Sequence, residues 1–255
     1  DMTNGGAKYR TFGMLAESAA YTIDSLVAIK KVIFDDQAAT MAELCDALDA
    51  NYEGYGPLQA KLLAAPKYGN DDPYADAVGQ MMIDAFVEVV SRHAAKYKAI
   101  IKYPAGVGTF SWYIGIGEGL GASPDGRLAH QPVASNFSPA LGRDRNGLPG
   151  AILSYASMHH ANLPAGGPLD LRLNRQLVQG EEGIGRMAAL LRSFVETGGN
   201  MMTLTVVDTE ELRAAQREPD KYRSLRVRMG GWCAYFTMLS REQQDHHIHR
   251  QEGRS

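Results

Sequence analysis

The sequence predicts an α/β fold, and three observations carry that prediction. Runs with apolar residues at helical spacing alternate along the chain with short β-rich runs, the pattern of helices layered on strands. At 255 residues and 45% apolar composition the chain can bury a real core, as one large domain or two small ones. The net charge of -3, with basic residues scattered, leaves no electrostatic footprint for nucleic acid. No apolar run approaches bilayer-spanning length, and no charged n-region with an apolar h-region opens the chain, so no membrane partner is expected. Cys45 and Cys233 are far apart and lack metal-ligand spacing, which suits a reducing, cytoplasmic setting.

The elements follow in order. From Ala16 to Phe34, Ala19, Ile23, Leu26, Val27, Ile29 and Ile33 recur at helical intervals, predicting a helix with one buried face. Thr40 with Glu43 three residues on reads as a capping box opening a helix through Leu44 and Leu48. Cys45 lies on that helix and reads as a small buried hydrophobe. Asp71 and Asp72 suit a helix N-terminus, and with Asp76 they lack calcium-loop spacing. Ala75 to Lys98 is again helical, with Val78, Met81, Met82, Ala85, Phe86, Val89 and Val90 on a broad apolar face and His93 near its end. Ala99 to Pro104 reads as a short strand stopped by proline, and Thr109 to Ile114 as a second short element.

Gly115-Ile116-Gly117-Glu118-Gly119-Leu120-Gly121 does not make a nucleotide site. Leu120 falls where a dinucleotide fingerprint needs its third glycine, and no Lys-Ser or Lys-Thr follows. Flexible backbone before the Ser123-Pro124-Asp125-Gly126 turn is the expectation. His159 and His160 are adjacent, so they cannot share a helix face as paired metal ligands. Glu181-Glu182 opens a helix carrying Ile184, Met187, Leu190, Leu191 and Phe194 toward the core, ended by Gly198-Gly199. Met201 to Val207 is a strand, and His246-His247-Ile248-His249 reads as a solvated tail.

The stretch that points to function is Arg228-Met229-Gly230-Gly231-Trp232-Cys233-Ala234-Tyr235-Phe236. By local rules it is a tight glycine turn feeding an aromatic strand. Its company adds more: Asp208-Thr209-Glu210-Glu211-Leu212 and Pro219-Asp220-Lys221-Tyr222 precede it. Earlier in the chain come Asn4-Gly5-Gly6-Ala7-Lys8-Tyr9, Asn51-Tyr52-Glu53-Gly54-Tyr55, Pro66-Lys67-Tyr68-Gly69-Asn70-Asp71-Asp72 and Ala122-Ser123-Pro124-Asp125-Gly126-Arg127. In this order and spacing the segments resemble the glycyl radical enzymes, the family of pyruvate formate-lyase, choline lyase, diol dehydratases and aryl-acetate decarboxylases.

The resemblance implies the second half of a ten-stranded α/β barrel at residues 1–129 and a glycine radical domain at 130–255. It places the radical on Gly231, the glycine before the aromatic residue, with Gly230 at a variable position and Met229 in place of a valine. Only glycine allows the planar Cα such a radical needs without a side-chain clash. No bound cofactor or metal is implied; a separate S-adenosylmethionine-dependent iron-sulfur activase would install the radical. The radical would pass to a cysteine on an opposing loop, whose thiyl abstracts hydrogen from a small organic substrate, with oxygen-sensitive cleavage of a C–C, C–O or C–N bond as the outcome. Neither Cys45 nor Cys233 holds that loop's position, so the missing barrel half becomes an expected partner, the chain reads as a fragment or split subunit, and the complete enzyme is expected to be a homodimer.

Departures from the pattern matter as well. Ala134-Ser135-Asn136-Phe137-Ser138-Pro139 is a clear but imperfect match to the family's Ala-Asp-Gly-x-Ser-Pro stretch, and Thr203 and Thr205 stand where many relatives have Gln and Asn on a strand near the active site, so no relative's substrate transfers. Two other readings compete: a non-catalytic spare part supplying a glycine domain to another protein, and an ordinary α/β binding domain with coincidental turns.

Overall fold

The computed structural model describes residue 6, residue 8 and residues 10–97, 101–229 and 232–252. Most of the Asn4–Tyr9 motif and both Gly230 and Gly231 lie outside these. The chain is α/β, with three parallel strand pairs and one antiparallel hairpin among the described residues.

Strands β1 (Arg10–Thr11) and β2 (Met14–Ala16) pair in parallel with β3 (Ile101–Lys102) and β4 (Ala105–Val107). Arg10 faces Ile101 and Met14 faces Ala105, so the two pairs keep one register. The gap falls at Pro104, which has no N–H to give the ladder; Phe12 N to Lys102 O and Met14 N to Pro104 O, both 2.8 Å, bridge it. Further on, β5 (Leu169–Leu173) pairs in parallel with β6 (Met202–Val206). Backbone bonds from Ala165 N to Ala105 O (2.9 Å) and Val107 N to Gly166 O (2.8 Å) lay the approach to β5 along β4. A Cβ at Gly106 would come within 2.7 Å of Gly166 O, so this close approach requires glycine.

Helix α1 (Ala19–Ala28) buries Ile23 and Val27 against α4 (Pro73–Ala94), which contributes Val78, Ile83 and Val90 to the same core. Asp24, also buried on α1, accepts the Tyr68 N–H at 2.8 Å. Burial pushes this carboxyl up to about 7, while Lys67 and that N–H pull the other way. The predicted single helix from Ala16 to Phe34 is two pieces, because Ile29–Asp35 winds as a π-helix, the wider turn with i→i+5 bonds such as Asp36 N to Lys31 O.

The capping box of α2 (Met41–Asp49) is present: Thr40 Oγ1 accepts Glu43 N at 3.1 Å, and Glu43 accepts Thr40 N at 2.7 Å. Cys45 corrects the expectation of burial. Leu44 and Ala47 occupy the inward stripe, and Cys45, one residue round the helix, is exposed. Helix α3 (Gly56–Ala64) joins α2 and the π-helical turn in a second cluster around Leu44 and Leu62.

Asp72 caps α4 by accepting Tyr74 N at 2.9 Å, so this helix starts before the expected Ala75 and ends at Ala94 rather than Lys98. Its apolar face is only half covered: Met81 is 60% and Val89 43% exposed, which overturns their expected place in the core. Gly115 and Gly117, expected in flexible backbone, lie inside α5 (Tyr113–Glu118). A Cβ on Gly117 would strike Gln131 O, so the glycine lets this helix lie against the next loop. Helices α6 (Gly147–Ala156) and α7 (Gly180–Glu196) cover β5, with Tyr155, Leu169, Leu171 and Phe194 in one core. Of the α7 residues expected inside, Phe194 is buried, whereas Ile184 and Leu191 are exposed.

Helix α8 (Thr209–Arg217), hairpin strands β7 (Arg226–Met229) and β8 (Trp232–Tyr235), and α9 (Arg241–Glu252) share a third cluster of Val207, Leu212, Ala215, Val227, Phe236 and Ile248. The stretch read as a solvated histidine tail is therefore α9, and His246 and His247 are buried on it. No helix among the described residues is long and apolar enough to cross a membrane.

Candidate active site

Alternation along β5 separates two faces. Leu169 and Leu171 turn toward α6 and α7, while Asp170 and Arg172 turn away from that core. The register sets Asp170 against Thr203 and Arg172 against Thr205 on β6, giving a polar face opposite the helical layer.

Asp170 organises this face. Its carboxylate accepts Ser135 Oγ at 2.6 Å, Asn136 Nδ2 at 2.7 Å and Thr203 Oγ1 at 2.5 Å. Asn136 uses its other amide atom, Oδ1, to accept the backbone N–H groups of Thr109 (3.1 Å) and Phe110 (3.0 Å) in the loop after β4. Asn136 at φ 51° and Phe110 at φ 47° are both left-handed. Asparagine is, after glycine, the residue best suited to that region, which explains how it replaces the glycine of the resembled motif. Thr203 and Thr205, flagged by sequence as departures, lie on this polar face; Asp170 and Arg172 were missed. Their signal was two polar residues alternating with three leucines in Leu169-Asp170-Leu171-Arg172-Leu173.

The hairpin packs beside this face. In β7–β8, Val227 pairs with Ala234 and Met229 with Trp232, and Gly230 and Gly231 fall between these last partners in sequence, outside the described residues. Val227, Met229 and Ala234 point inward; Trp232, Cys233 and Tyr235 are exposed. Arg226 holds Tyr235 by a 3.1 Å bond to its hydroxyl with the guanidinium over the ring, and Phe236 N closes the hairpin on Leu225 O at 2.9 Å. On α9, His247 lies with Nε2 3.2 Å from Met229 Sδ. Arg172 reaches across from β5 to donate to His247 O and to meet His247 Nδ1, both at 2.5 Å. A guanidinium can only donate, so Nδ1 accepts and the ring proton sits on Nε2, facing the methionine sulfur.

The remaining candidates separate cleanly. His160 is buried against Tyr155, its Nε2 2.6 Å from Tyr155 O, and burial pushes its imidazole below the usual range; it is a core residue. His159 is exposed and pairs with Asp84 at 3.0 Å. No group of three His, Cys, Asp or Glu able to hold a metal occurs among the described residues. The 51–55, 66–72 and 122–127 motifs converge on one another and on the loop around Arg143. Tyr52 OH donates to Ser123 O (2.7 Å), Asn70 Nδ2 to Arg143 O (2.8 Å), and Arg143 pairs with buried Asp125 (3.2 Å). These are scaffold bonds, so the motifs that made the resemblance visible hold the frame.

Two family models match the chain: pyruvate formate lyase-like at residues 1–117 and glycine radical at residues 133–237. The chain belongs to the glycyl radical enzymes. It is 38% identical to the trans-4-hydroxy-L-proline dehydratase of Clostridioides difficile over 254 residues, which is 99% of this chain and 32% of the relative. That enzyme's crystal structure, with trans-4-hydroxy-L-proline bound, superposes with a TM-score of 0.89 over 98% of this chain and 31% of the other. The isethionate sulfite-lyase of Bilophila wadsworthia is 34% identical over 89% of this chain and 28% of its own length. A glycyl radical enzyme from Archaeoglobus fulgidus superposes with a TM-score of 0.90 at 36% identity, over 98% of this chain and 32% of the other. The chain thus spans about a third of the length of the relatives it matches.

Proposed function

We propose that this chain is the radical-storing part of a glycyl radical lyase, dehydratase or decarboxylase, with the radical on the Cα of Gly231. The observation that carries the reading is the hairpin: Met229 and Trp232 are cross-strand partners, and the matched glycine radical stretch runs through them. The strand ends are buried on one side over a cluster shared with α8, α9 and Val207 just after β6, which supports the hairpin beside the polar face.

In this reading an S-adenosylmethionine-dependent iron-sulfur activase removes one hydrogen atom from Gly231, leaving an unpaired electron shared between the adjacent nitrogen and carbonyl. The radical takes a hydrogen atom from a cysteine thiol on an opposing loop, supplied by polypeptide that completes a ten-stranded barrel. The thiyl then takes a hydrogen atom from a small organic substrate whose bond breaks. Residues 1–129 form the barrel portion and 130–255 the glycine radical domain, in a cytoplasmic, oxygen-sensitive enzyme that assembles as a homodimer. The enclosing barrel keeps out water and stray hydrogen donors. A spare-part subunit fits less well, because supplying a glycine domain alone does not call for strands β1 to β4 and the large core built on them.

The test is chemical. After anaerobic activation, air should cut the chain at Gly231 into one long and one very short fragment, read by mass spectrometry. Gly231→Ala should stay whole; an uncut wild-type chain bearing the radical would contradict the assignment.

A further inference from the structure

Arg172 is remote in sequence from the glycine hairpin, yet it makes the contact that ties the hairpin's supporting helix to the barrel. The residue is 5% exposed and its guanidinium bonds both the carbonyl and Nδ1 of His247, which in turn meets Met229 at the end of β7. We propose that Arg172 is a positioning residue for the radical site, docking α9 and the β7–β8 hairpin on the polar face of β5–β6 through His247. The proposal rests on the reading of Gly231 given above, but its geometry involves only described residues.

A buried guanidinium is costly unless its donors are met, so two acceptors on one helical residue fix that helix's position and rotation together. The imidazole, held at Nδ1 by the same guanidinium that bonds the His247 carbonyl, presents Nε2–H toward the Met229 sulfur. The apolar contacts beneath the hairpin belong to the cluster of Val207, Leu212, Ala215, Val227, Phe236 and Ile248, which reaches the sheet at Val207 just after β6, but apolar packing is non-directional and does not by itself fix the rotation of α9. The Tyr113 and His246 rings meet at 4.5 Å, and the Arg172–His247 pair adds a directional polar contact from β5 to α9. Arg172 therefore sets the orientation in which α9 and the hairpin are held.

Amide hydrogen exchange of the intact chain, read by mass spectrometry, tests this directly. Arg172→Met keeps side-chain volume but removes every donor. It should speed exchange across residues 225–229, 232–239 and α9 by about tenfold or more, leaving α1 and α4 unchanged. His247→Asn, which keeps an acceptor opposite Arg172, should restore most of the protection that His247→Ala loses. Unchanged hairpin exchange in Arg172→Met, or equal acceleration in α1 and α4, would overturn the proposal. In the activated enzyme the glycyl radical of Arg172→Met should decay about tenfold faster than in wild type, and Arg172→Lys should fall between. An equal lifetime would also overturn it. Failure to form any radical in the wild-type chain would instead sink the assignment of Gly231 and leave the exchange result to decide the docking role.

Discussion

Asp76 occupies the first turn of α4, where a carboxylate is normally welcome, but the structure buries it. Burial pushes its carboxyl up to about 6, with the Ser154 hydrogen bond opposing and Asp71 and Asp72 adding to the rise. A carboxyl whose folded pKa lies above its unfolded value favours the folded state below about pH 4, and that contribution is lost as pH rises through about 6. Asp76→Asn should therefore stabilise the chain by roughly 1–3 kcal/mol at pH 7.5 and lose its advantage below about pH 4. Melting temperatures at the two pH values check this, and a gain of equal size at both would show that charge is not the cause. At this scale the sequence was partly legible. Asp72 as a helix cap and Thr40–Glu43 as a capping box follow from local rules because the bonds are local. The alternation in 169–173 marks Asp170 as lying on a polar face, but its partners were not legible, since the three donors come from positions 135, 136 and 203.

Elements were legible where periodicity is strong and local. The helices at 41–49 and 180–196 and the strand at 202–206 were all expected. Failures have identifiable causes. The π-helical turn at 29–35 keeps an apolar pattern compatible with an α-helix, so spacing alone misses it. Glycines 115 and 117 suggested loose backbone, whereas Gly117 is there to let a helix pass close to Gln131. Helix α9 has little apolar periodicity, because its buried face is made of His246, His247 and Ile248 in sequence. Its single large aliphatic anchor is Ile248, 5% exposed in the cluster beneath the hairpin. Ile248→Ala should cost roughly 2–4 kcal/mol locally. Exchange should rise throughout α8, α9 and the hairpin while the α1–α4 core keeps its protection; a uniform loss would mean that the cluster is not a separate cooperative unit.

At the scale of the whole molecule, the sequence motifs identified the family because they are the bonds between elements: Tyr52 to Ser123, Asn70 to Arg143 and Arg143 to Asp125 bind distant segments into one frame. Helical stripes were less informative, for a periodic apolar face says nothing about which chain covers it. Met81 and Val89 on α4, and Ile184, Leu191 and Val195 on α7, remain exposed among the described residues. The relatives are about three times as long as this chain. In the proposed function the frame, the polar face and the hairpin all serve one atom, the Cα of Gly231. The direct test is electron paramagnetic resonance of the anaerobically activated protein labelled with α-deuterated glycine. The account predicts a doublet in unlabelled protein that collapses toward a singlet on deuteration and is absent from Gly231→Ala; a doublet that survives either change would contradict it.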